Sequence, residues 1–540
     1  MIDSKNLKPS DLGRADEQLV VFTTEELMPL PAPYDKPGLE PDFVPVKDAW
    51  REKYCTSLDG FVGIDTLTRP QSKEEEEEFV RKFLSGLEKL FSDANSGMLQ
   101  PLNLTMEYCA KCDTCSAACH IYEGSGNNEL YRPIFRIEAL RKLYKKYFTT
   151  SGKLLGGFVG ADLEATWESI ARLGESAYRC NLCRRCAQTC PLGLDNGIMA
   201  KEIRKIFSME MGIAPSPIHK KGSENQLKTG SSTGMTKPVF LDNIQFLEEE
   251  IEENYGIKIK FPIDKKGADV LLIHNAGEYN AWPENPMAFA ILFEAAGINW
   301  TLSSEMMGYD SVNYGIWYDD AQAKKIALGQ IKAANELGVR RIVQGECGHA
   351  HKAGALVADR MVPGSGKVPV ESFFPMLRDI VMSGAIKFDP SRNNFPVTLH
   401  DPCNVVRQMG IVMPQREVLH KLAPQFREMT PHGVDNYCCG GGSGFAIMHS
   451  FNFGDFRNKI SARKKFAQIL NAFPDTMEDP SIVKYVCAPC SNCKGTIRDI
   501  LEYYEATEKY NVQYSGLIEL VVNAMVDLKK PFFEFLREEE

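Results

Sequence analysis

We predict a multi-domain chain of mixed α+β and α/β class, in which a mostly helical domain precedes a mostly parallel α/β domain. Three observations in the 540-residue sequence support this order. Two short cysteine runs are separated by helical segments within residues 71–214. A polar stretch rich in Gly, Ser and Pro follows at 215–238 and is typical of a linker. Over residues 239–540, short apolar runs alternate with helical stretches, which indicates a mostly parallel sheet.

The first 70 residues are rich in Pro and polar residues and have weak hydrophobic periodicity. We therefore expect an extended arm over 1–70, ordered only where it lies on another domain or subunit. Periodicity then predicts helices in the first domain, at residues 72–92, 136–147, 163–173 and 199–209.

Short apolar runs in the second domain end in polar or cysteine-bearing loops. They predict strands at 270–273, 341–343, 397–399 and 485–486, with helices at 286–296 and 321–337. Cys347, Cys403 and Cys487 each fall just after one of these strands. Because functional groups of a parallel sheet lie beyond the carboxyl ends of its strands, we expect a site at that edge.

The net charge and the distribution of apolar residues exclude several classes of function. A formal net charge of −10 argues against a nucleic-acid binder, which needs clustered positive charge. The sequence contains neither a run of ~20 apolar residues nor the basic and apolar start of a secretory signal. We expect a cytoplasmic protein without its own membrane span, held at the inner face of the membrane by partner subunits.

Eight of the sixteen cysteines form two runs with the same spacing, Cys-x-x-Cys-x-x-Cys-x-x-x-Cys. This spacing is that of two-cluster ferredoxins, in which three cysteines bind one cubane [4Fe–4S] cluster and the fourth binds the other. We therefore predict a ferredoxin-type domain in which one cluster is bound by Cys109, Cys112, Cys115 and Cys190, and the other by Cys180, Cys183, Cys186 and Cys119. A zinc site is the alternative, but zinc sites usually show two separated pairs. Cys119 is followed by His120 and not by the Pro of the ferredoxin pattern.

A second group of cysteines lies near the C-terminus. Two adjacent cysteines cannot easily chelate one metal together, but each can bind a different iron of an extended cluster. The glycines after them let the backbone approach a bulky cofactor. The plain alternative is a set of buried structural thiols. The group comprises Cys403, the pair Cys438-Cys439 before Gly440-Gly-Gly-Ser-Gly444, and Cys487, Cys490 and Cys493.

The pattern Cys403…Cys438-Cys439-Gly440…Cys490-x-x-Cys493 resembles the CCG domain of heterodisulfide reductase catalytic subunits. With the two ferredoxin runs, the resemblance spans roughly residues 100–510. The single-chain arrangement resembles the D-type catalytic chain (HdrD) of that family. Tyr108-Cys-Ala-Lys-Cys and the region through Cys190-Pro-Leu-Gly resemble the DsrK branch, the cytoplasmic component of the DsrMKJOP complex of sulfate reducers. The resemblance implies a non-cubane [4Fe–4S] cluster on the five cysteines, which cleaves a disulfide in two one-electron steps.

The chain departs from the family pattern in two ways. Heterodisulfide reductases have two CCG motifs, whereas here residues 303–308 read Ser-Ser-Glu-Met-Met-Gly where the first is expected. One non-cubane cluster is therefore predicted, as in DsrK-like proteins. The extra thiol of Cys487 leaves two choices for the last ligand pair, Cys487/Cys490 or Cys490/Cys493. We favour the second, because Cys493-Lys followed by an apolar helix resembles the end of the motif.

Two further candidates lie near the predicted site. Cys347, together with His349 and His351, follows a strand and is in a position to approach the same cluster or its substrate. His400 precedes Asp401 and Cys403, and is a candidate to deliver protons to a leaving thiolate, although both residues are equally suited to orienting the loop.

The sequence has no dinucleotide or flavin motif. We expect electrons to pass from a menaquinol-oxidising membrane cytochrome b (DsrM-like) and other DsrMKJOP-type subunits through the two cubanes. The non-cubane cluster then reduces a disulfide or trisulfide on a small DsrC-like protein, in dissimilatory sulfate or sulfite reduction. One alternative is a relay subunit of a flavin-linked glycolate or glycerol-3-phosphate dehydrogenase. Another is a non-catalytic iron–sulfur redox sensor.

Overall fold

The computed structural model describes residues 4–15, 18–36, 38–54, 57–354 and 368–537. Cys55, which the sequence suggests is an isolated thiol, lies outside these residues. The chain divides into two compact units. The first comprises Met1–His219, Trp317–Asp320 and Tyr437–Ala467, and the second comprises Lys220–Ile316, Ala321–Asn436 and Gln468–Glu540.

The first unit is helical, which confirms the fold class predicted for this part of the chain. The helix predicted at 72–92 is observed as Lys73–Leu90. Ser72 caps its start by accepting a hydrogen bond from the Glu75 amide, and acidic residues fill its first turn, where negative charge is favourable. The α-helices of the unit are Asp48–Lys53, Lys73–Leu90, Ser96–Tyr108, Thr114–Ala117, His120–Gly124, Pro133–Phe148, Thr150–Leu155, Trp167–Ala177, Arg185–Thr189, Asn196–Lys205 and Phe453–Asp455.

The N-terminal residues lie on these helices. The Arg172 guanidinium donates to the Leu12 carbonyl at 2.8 Å, and Leu19 donates its amide to Ser57 at 2.8 Å. Arg179 is fully buried and binds both carboxylate oxygens of Asp59. The segment is therefore a packed part of the first unit over its described residues.

Residues Tyr437–Ala467 also pack within the first unit, whereas the sequence predicted one continuous domain over 239–540. Aromatic contacts hold this segment there: the Phe456 ring lies 5.5 Å from Phe61 and 5.6 Å from Tyr131, measured between ring centroids. These partners are hundreds of residues away along the chain. Hydrophobic periodicity is a local signal, so it cannot identify them. The helix Arg463–Asn471 includes the boundary between the two units at Ala467.

The second unit contains two four-stranded parallel sheets, as predicted for the α/β region. The first sheet has the order β2-β1-β3-β4, and the second has the order β6-β5-β7-β8. All of their strand pairs are parallel. The strands are β1 (Val270–Ile273), β2 (Trp300–Thr301), β3 (Arg341–Gln344), β4 (Val370–Ser372), β5 (Val397–Leu399), β6 (Phe426–Arg427), β7 (Lys484–Cys487) and β8 (Val512–Ser515).

Helices cover the sheets and share one large apolar core with them. The segment predicted as a linker at 215–238 is structured in part, since Gln226 lies on a short helix and donates to the Val312 carbonyl at 2.6 Å. The helices of this unit are Asn225–Thr229, Lys237–Tyr255, Glu278–Ala281, Glu284–Ala295, Met306–Tyr309, Asp320–Leu337, Gly348–His351, Phe373–Met382, Cys403–Val406, Met413–Leu422, Ser491–Tyr503, Ala506–Tyr510 and Leu517–Asn523.

Among the described residues, no helix combines the length and the apolar character that crossing a bilayer requires.

Candidate iron–sulfur centres

Four cysteines surround a small cavity in the first unit, which we call the first cysteine cavity. They are the three of the first loop and the last cysteine of the second run: Cys109, Cys112, Cys115 and Cys190. Cys112 is exposed, and the hydrogen bond from Thr114 lowers the pKa of its thiol. Burial raises the pKa of Cys115 to about 11. The cavity therefore has a surface side and a buried side.

A second cavity of the same kind, the second cysteine cavity, lies in the same unit. Its cysteines are Cys119, Cys180, Cys183 and Cys186. Burial raises the pKa of Cys119 to about 12 and that of Cys186 well above its usual value. The cysteines around each cavity are the same four that the ligand prediction assigns to each cubane, with the fourth cysteine of each run exchanged. Their role as ligands stays a prediction.

The two loops share an unusual backbone. Lys111 and Asp113, on either side of Cys112, have φ values of 55° and 66°, and Leu182 and Arg184 have 51° and 61°. Left-handed residues on both sides of a cysteine curl the chain around a central point, so three thiols of one loop face the same space. Four soft thiolates around one pocket are the ligand set of a cubane cluster, and the residues present fit that group.

The Cys438-Cys439 pair lies on a buried loop of the first unit. The amide of Gly440 points at the Cys438 sulfur at 3.4 Å, and that of Gly441 points at the Cys439 sulfur at 3.3 Å. Amides that donate to sulfur favour the thiolate form that binds iron. Gly440 has a φ of 93°, and a Cβ there would lie 2.6 Å from the Ala462 backbone. Only glycine fits at this position.

This loop packs directly on the second cysteine loop. Asn181 donates from its side-chain amide to the carbonyls of Gly440, at 2.9 Å, and Gly442, at 3.2 Å. Its carbonyl oxygen lies 2.8 Å from the His120 ring and 2.9 Å from the Ser461 hydroxyl, which donates to it. Asn181 is buried and uses both ends of its amide to join the two loops.

The other C-terminal cysteines lie in the second unit, beyond the ends of β5 and β7. Cys403 begins the helix Cys403–Val406, and Cys490 precedes the helix Ser491–Tyr503, which carries Cys493 in its first turn. Cys487 is the last residue of β7 and belongs to the apolar core, whereas the sequence placed it just after the strand. Its pairing with Ser515 and Leu399 extends the strand through it. This placement supports Cys490/Cys493 as the ligand pair.

Cys347 lies beyond the end of β3 and is 1% exposed. Its thiol is within hydrogen-bonding reach of the Cys490 thiol, and this contact, with burial, holds its pKa well above the usual value. The Asn275 amide donates to the Cys347 sulfur at 3.5 Å. Of the two cysteines that the sequence left in question, Cys347 is beside the predicted ligand and Cys487 is in the core.

Among the histidines and the acid near these cysteines, His400 has a ring nitrogen within 4.8 Å of the Cys493 sulfur. Asp401 binds Arg416 through both carboxylate oxygens and accepts from the Gly433 amide, so its role is to hold the loop before Cys403. The His400 ring is fully buried, and its amide donates to the Cys487 carbonyl at 2.8 Å. His351 contacts the Cys347 carbonyl at 2.8 Å, and His349 accepts from the Asn313 amide at 3.0 Å.

Comparison with known protein families identifies both cysteine regions. Residues 105–194 match the 4Fe-4S dicluster domain, and residues 397–498 match the cysteine-rich CCG domain. A similar protein is the Hdr-like menaquinol oxidoreductase iron-sulfur subunit 2 of Archaeoglobus fulgidus, 27% identical over 78% of this chain and 80% of the relative. The corresponding protein of Archaeoglobus profundus is 26% identical over 78% and 79%. The D-type chain of the dihydromethanophenazine:CoB–CoM heterodisulfide reductase of Methanosarcina barkeri is 22% identical over 63% and 79%.

The chain is similar to heterodisulfide-reductase-like iron–sulfur subunits. Its two matched domains are those of an electron-transferring oxidoreductase subunit, and both indicate 4Fe–4S clusters. The resemblance seen in the cysteine spacing is thereby confirmed.

The cysteine motifs of the sequence do not reveal a buried charge cluster beside Cys490 and Cys493. Lys494 is fully buried, 3.4 Å from Glu519 and 3.6 Å from Glu278. Glu346 accepts from the amides that begin the helix Leu517–Asn523, and burial raises its pKa well above the usual value. The only hint in the sequence is a lysine directly after the last cysteine of the motif.

The cluster is tied to the cysteine loop through Ser491. The Ser491 hydroxyl donates to Glu278 at 2.6 Å, and its amide donates to the Glu346 carbonyl at 3.0 Å. Burial alone would raise the pKa of Glu278, but Lys494 and His274 lower it overall. Paired charges in such a setting hold the loop in one arrangement, because separating them inside the protein is costly.

Proposed function

We propose that this chain passes single electrons through two cubane clusters to a non-cubane cluster that reduces a disulfide or trisulfide on a small DsrC-like protein. The observation that carries the proposal is the packing of the second cysteine loop on the Cys438-Cys439 loop through Asn181. A relay that delivers electrons to a CCG centre needs its last carrier beside that centre. The five ligands proposed for the third cluster are Cys403, Cys438, Cys439, Cys490 and Cys493, all within the matched CCG domain.

The two cavities differ in their exposure and in their neighbours, and this difference supports an order of electron transfer from the first cavity to the second. The first cysteine cavity has an exposed ligand, Cys112, and apolar neighbours at the surface, with Tyr108 61% and Leu192 51% exposed. The second cavity instead borders the Cys438-Cys439 loop. We propose that the first cavity receives electrons from a partner and that the second passes them on.

We infer the electron donor from the relatives. Two of them are named as iron–sulfur subunits of a menaquinol oxidoreductase. For this chain we propose a membrane cytochrome b partner of DsrM type, with other DsrMKJOP-type subunits, and peripheral attachment at the inner face of the membrane. The role in sulfate or sulfite reduction follows from the DsrK-like resemblance.

Reduction of R–S–S–R′ consumes two electrons and two protons, breaks the S–S bond, and releases R–SH and R′–SH. Reduction of a trisulfide R–S–S–S–R′ to R–SH, R′–SH and H₂S consumes four electrons and four protons. When bound, the clusters would supply one-electron carriers, so two successive deliveries reduce a disulfide and four reduce a trisulfide. The chain itself holds the thiols at the carboxyl ends of β5 and β7 and supplies the amides that donate to Cys438 and Cys439.

Iron analysis and a single cysteine variant test this function. The anaerobically purified protein should contain about 12 irons, four for each of three clusters. Cys439→Ala should contain about eight. It should lose reduction of a DsrC-like protein trisulfide and keep both cubanes reducible by dithionite. Cys487→Ala is the matched control, because it removes a core thiol outside the proposed set, and it should keep activity and iron. If Cys439→Ala retains trisulfide reduction, the chain is a relay only, as in a flavin-linked dehydrogenase.

A further inference from the structure

The two sheets of the second unit are copies of one topology. The order β2-β1-β3-β4 repeats as β6-β5-β7-β8, with every pair parallel in both. In this correspondence β3 matches β7, and the loop after Gln344 matches the loop after Cys487. Each loop carries a cysteine three residues beyond the strand: Cys347 in the first, Cys490 in the second.

The two loops share their backbone hydrogen bonds. Cys347 donates its amide to the Gly345 carbonyl at 2.7 Å, and Cys490 donates its amide to the Ala488 carbonyl at 2.7 Å. Each cysteine is extended and immediately precedes a helix, Gly348–His351 or Ser491–Tyr503. Cys347 is therefore the counterpart of Cys490, placed by the same turn on the other copy.

The two equivalent thiols meet. They lie within hydrogen-bonding reach of each other, and a Cβ on Gly348 would lie 3.3 Å from the Cys490 sulfur. Both cysteines are buried. A side chain larger than the hydrogen of Gly348 would press on this contact, so glycine permits the close approach of the two loops.

The orientation of Asn275 sets the direction of the hydrogen bonds. Its carbonyl oxygen accepts from the Gly277 amide at 2.8 Å, so its NH₂ group must face Cys347. That NH₂ group donates to the Cys347 sulfur at 3.5 Å. Because the Cys347 sulfur accepts a hydrogen bond from Asn275, the S–H of Cys347 is available to donate to the Cys490 sulfur. The donors run from Asn275 to Cys347 to Cys490.

We propose that Cys347 is a positioning residue whose S–H donates to the Cys490 sulfur and thereby raises the reduction potential of the cluster that Cys490 helps to bind. The inference rests on the function proposed above. A hydrogen bond to a ligand sulfur offsets negative charge, and the reduced cluster carries one more negative charge than the oxidised cluster. The reduced form is therefore stabilised more, and the potential rises.

The test compares Cys347→Ala with Cys347→Ser in the full-length, iron-loaded protein. Cys347→Ala should keep about 12 irons and show a smaller reduced fraction of the third cluster at a fixed applied potential, by several-fold. Cys347→Ser keeps an O–H donor and should stay near the wild-type value. Asn275→Ala should shift the potential in the same direction as Cys347→Ala, because it leaves Cys347 without a donor of its own. The readout is a redox titration followed by EPR, and the cubane signals serve as an internal reference.

Three results would overturn the proposal, and they are distinguishable. Loss of about four irons in Cys347→Ala would make Cys347 a ligand. If Cys347→Ala shows the third cluster signal with an unchanged reduction potential, the proposed effect of the Cys347 hydrogen bond is wrong. The function proposed above would not be affected by that result. If the wild-type protein shows no third cluster signal, both the proposed function and the proposed role of Cys347 are wrong.

Discussion

The side-chain amide of Asn181 donates to the Gly440 carbonyl at 2.9 Å and joins two loops that are far apart in the chain. One loop carries Cys180 and Cys183, and the other carries Cys438 and Cys439. A single buried residue therefore bridges a ferredoxin-type loop and the CCG motif within one structural unit.

We expect Asn181→Ala to slow electron transfer to a protein trisulfide while leaving both cubanes reducible by dithionite. The substitution removes the Asn181 donor from both carbonyls, but Gly440 still accepts from the Ser461 hydroxyl at 2.9 Å. The Gly442 carbonyl loses this donor, and a buried group left unsatisfied costs about 1–3 kcal/mol. Stopped-flow reduction followed by turnover measures the two steps separately.

Asn452→Ala is the matched control for this prediction. Asn452 is also buried in the first unit and bridges Gly60 and Val62 with similar hydrogen bonds, but it contacts the N-terminal segment and not a cysteine loop. It should lower stability to a similar degree and leave turnover per folded molecule unchanged. Equal turnover in both variants would show that the Asn181 bridge has no part in electron transfer.

The fourth cysteine of each run should support the cluster of the other loop. Cys119 borders the second cysteine cavity, and Cys190 borders the first. We expect Cys119→Ser to alter the EPR signal of the cluster on Cys180, Cys183 and Cys186, whereas Cys190→Ser alters the other cubane signal. Redox titration of both variants resolves the two signals. The assignment is wrong if each substitution damages the cluster of its own loop.

Loss of Arg179 should destabilise the first unit strongly. Arg179 is fully buried between Asp59 and Glu175, and both carboxylates are fully buried as well. Arg179→Met leaves two buried negative charges without their cation, and breaking such a pair costs about 3–5 kcal/mol. Anaerobic thermal unfolding measures the effect.

The exposed pair Lys73–Glu77 provides the comparison for Arg179. Lys73→Ala should change stability by less than about 1 kcal/mol, because solvent screens surface pairs. If Arg179→Met unfolds at the same temperature as Lys73→Ala, the buried pair does not fasten the N-terminal segment.

His349 should make the protein less stable in acid. Burial lowers the pKa of this ring to about 3, and its Nε2 accepts from the Asn313 amide. The unfolded chain takes up a proton near pH 6.5, whereas the folded chain does not until about pH 3. The stability contribution of a neutral His349 is therefore complete above pH 6.5 and falls by about 1.4 kcal/mol per pH unit as the pH drops below it.

His349→Gln removes this titration and keeps an acceptor for the Asn313 amide. Apparent melting temperatures between pH 5 and 8 should therefore fall less steeply on the acid side for the variant than for the wild type. Acid loss of iron affects both proteins alike and cancels in the comparison. Parallel curves would show that His349 does not titrate on unfolding.

Local patterns in the sequence predicted the fold class and most of the elements near the cysteines. The strand Val270–Ile273 was predicted with its observed bounds, because four consecutive apolar residues followed by a polar loop are a local signal. The cysteine spacing likewise grouped Cys119 with the second loop, and Cys119 borders the same cavity as that loop. The strand needed only neighbours within a few residues, whereas the grouping of Cys119 rests on the ligand exchange known for this cysteine spacing in two-cluster ferredoxins.

Relationships between distant segments could not be predicted from the sequence. Lys494 is adjacent to a predicted ligand, but its partners Glu278 and Glu519 are 216 and 25 residues away. The packing of Tyr437–Ala467 within the first unit likewise depends on aromatic partners near residues 61 and 131. Periodicity reports which face of an element is buried and does not report what buries it, so both features became visible only in the folded chain.

The left-handed residues of the two cysteine loops have a consequence for assembly. Lys111, Asp113, Leu182 and Arg184 each hold a conformation that costs a residue with a side chain about 1–2 kcal/mol. Without bound iron, no metal–thiolate bonds offset the cost of the left-handed conformation. These loops should therefore relax toward ordinary backbone angles before iron binds. Iron insertion is then a local folding event, and the nascent protein should present its thiols on opened loops that a cluster-delivery partner can reach.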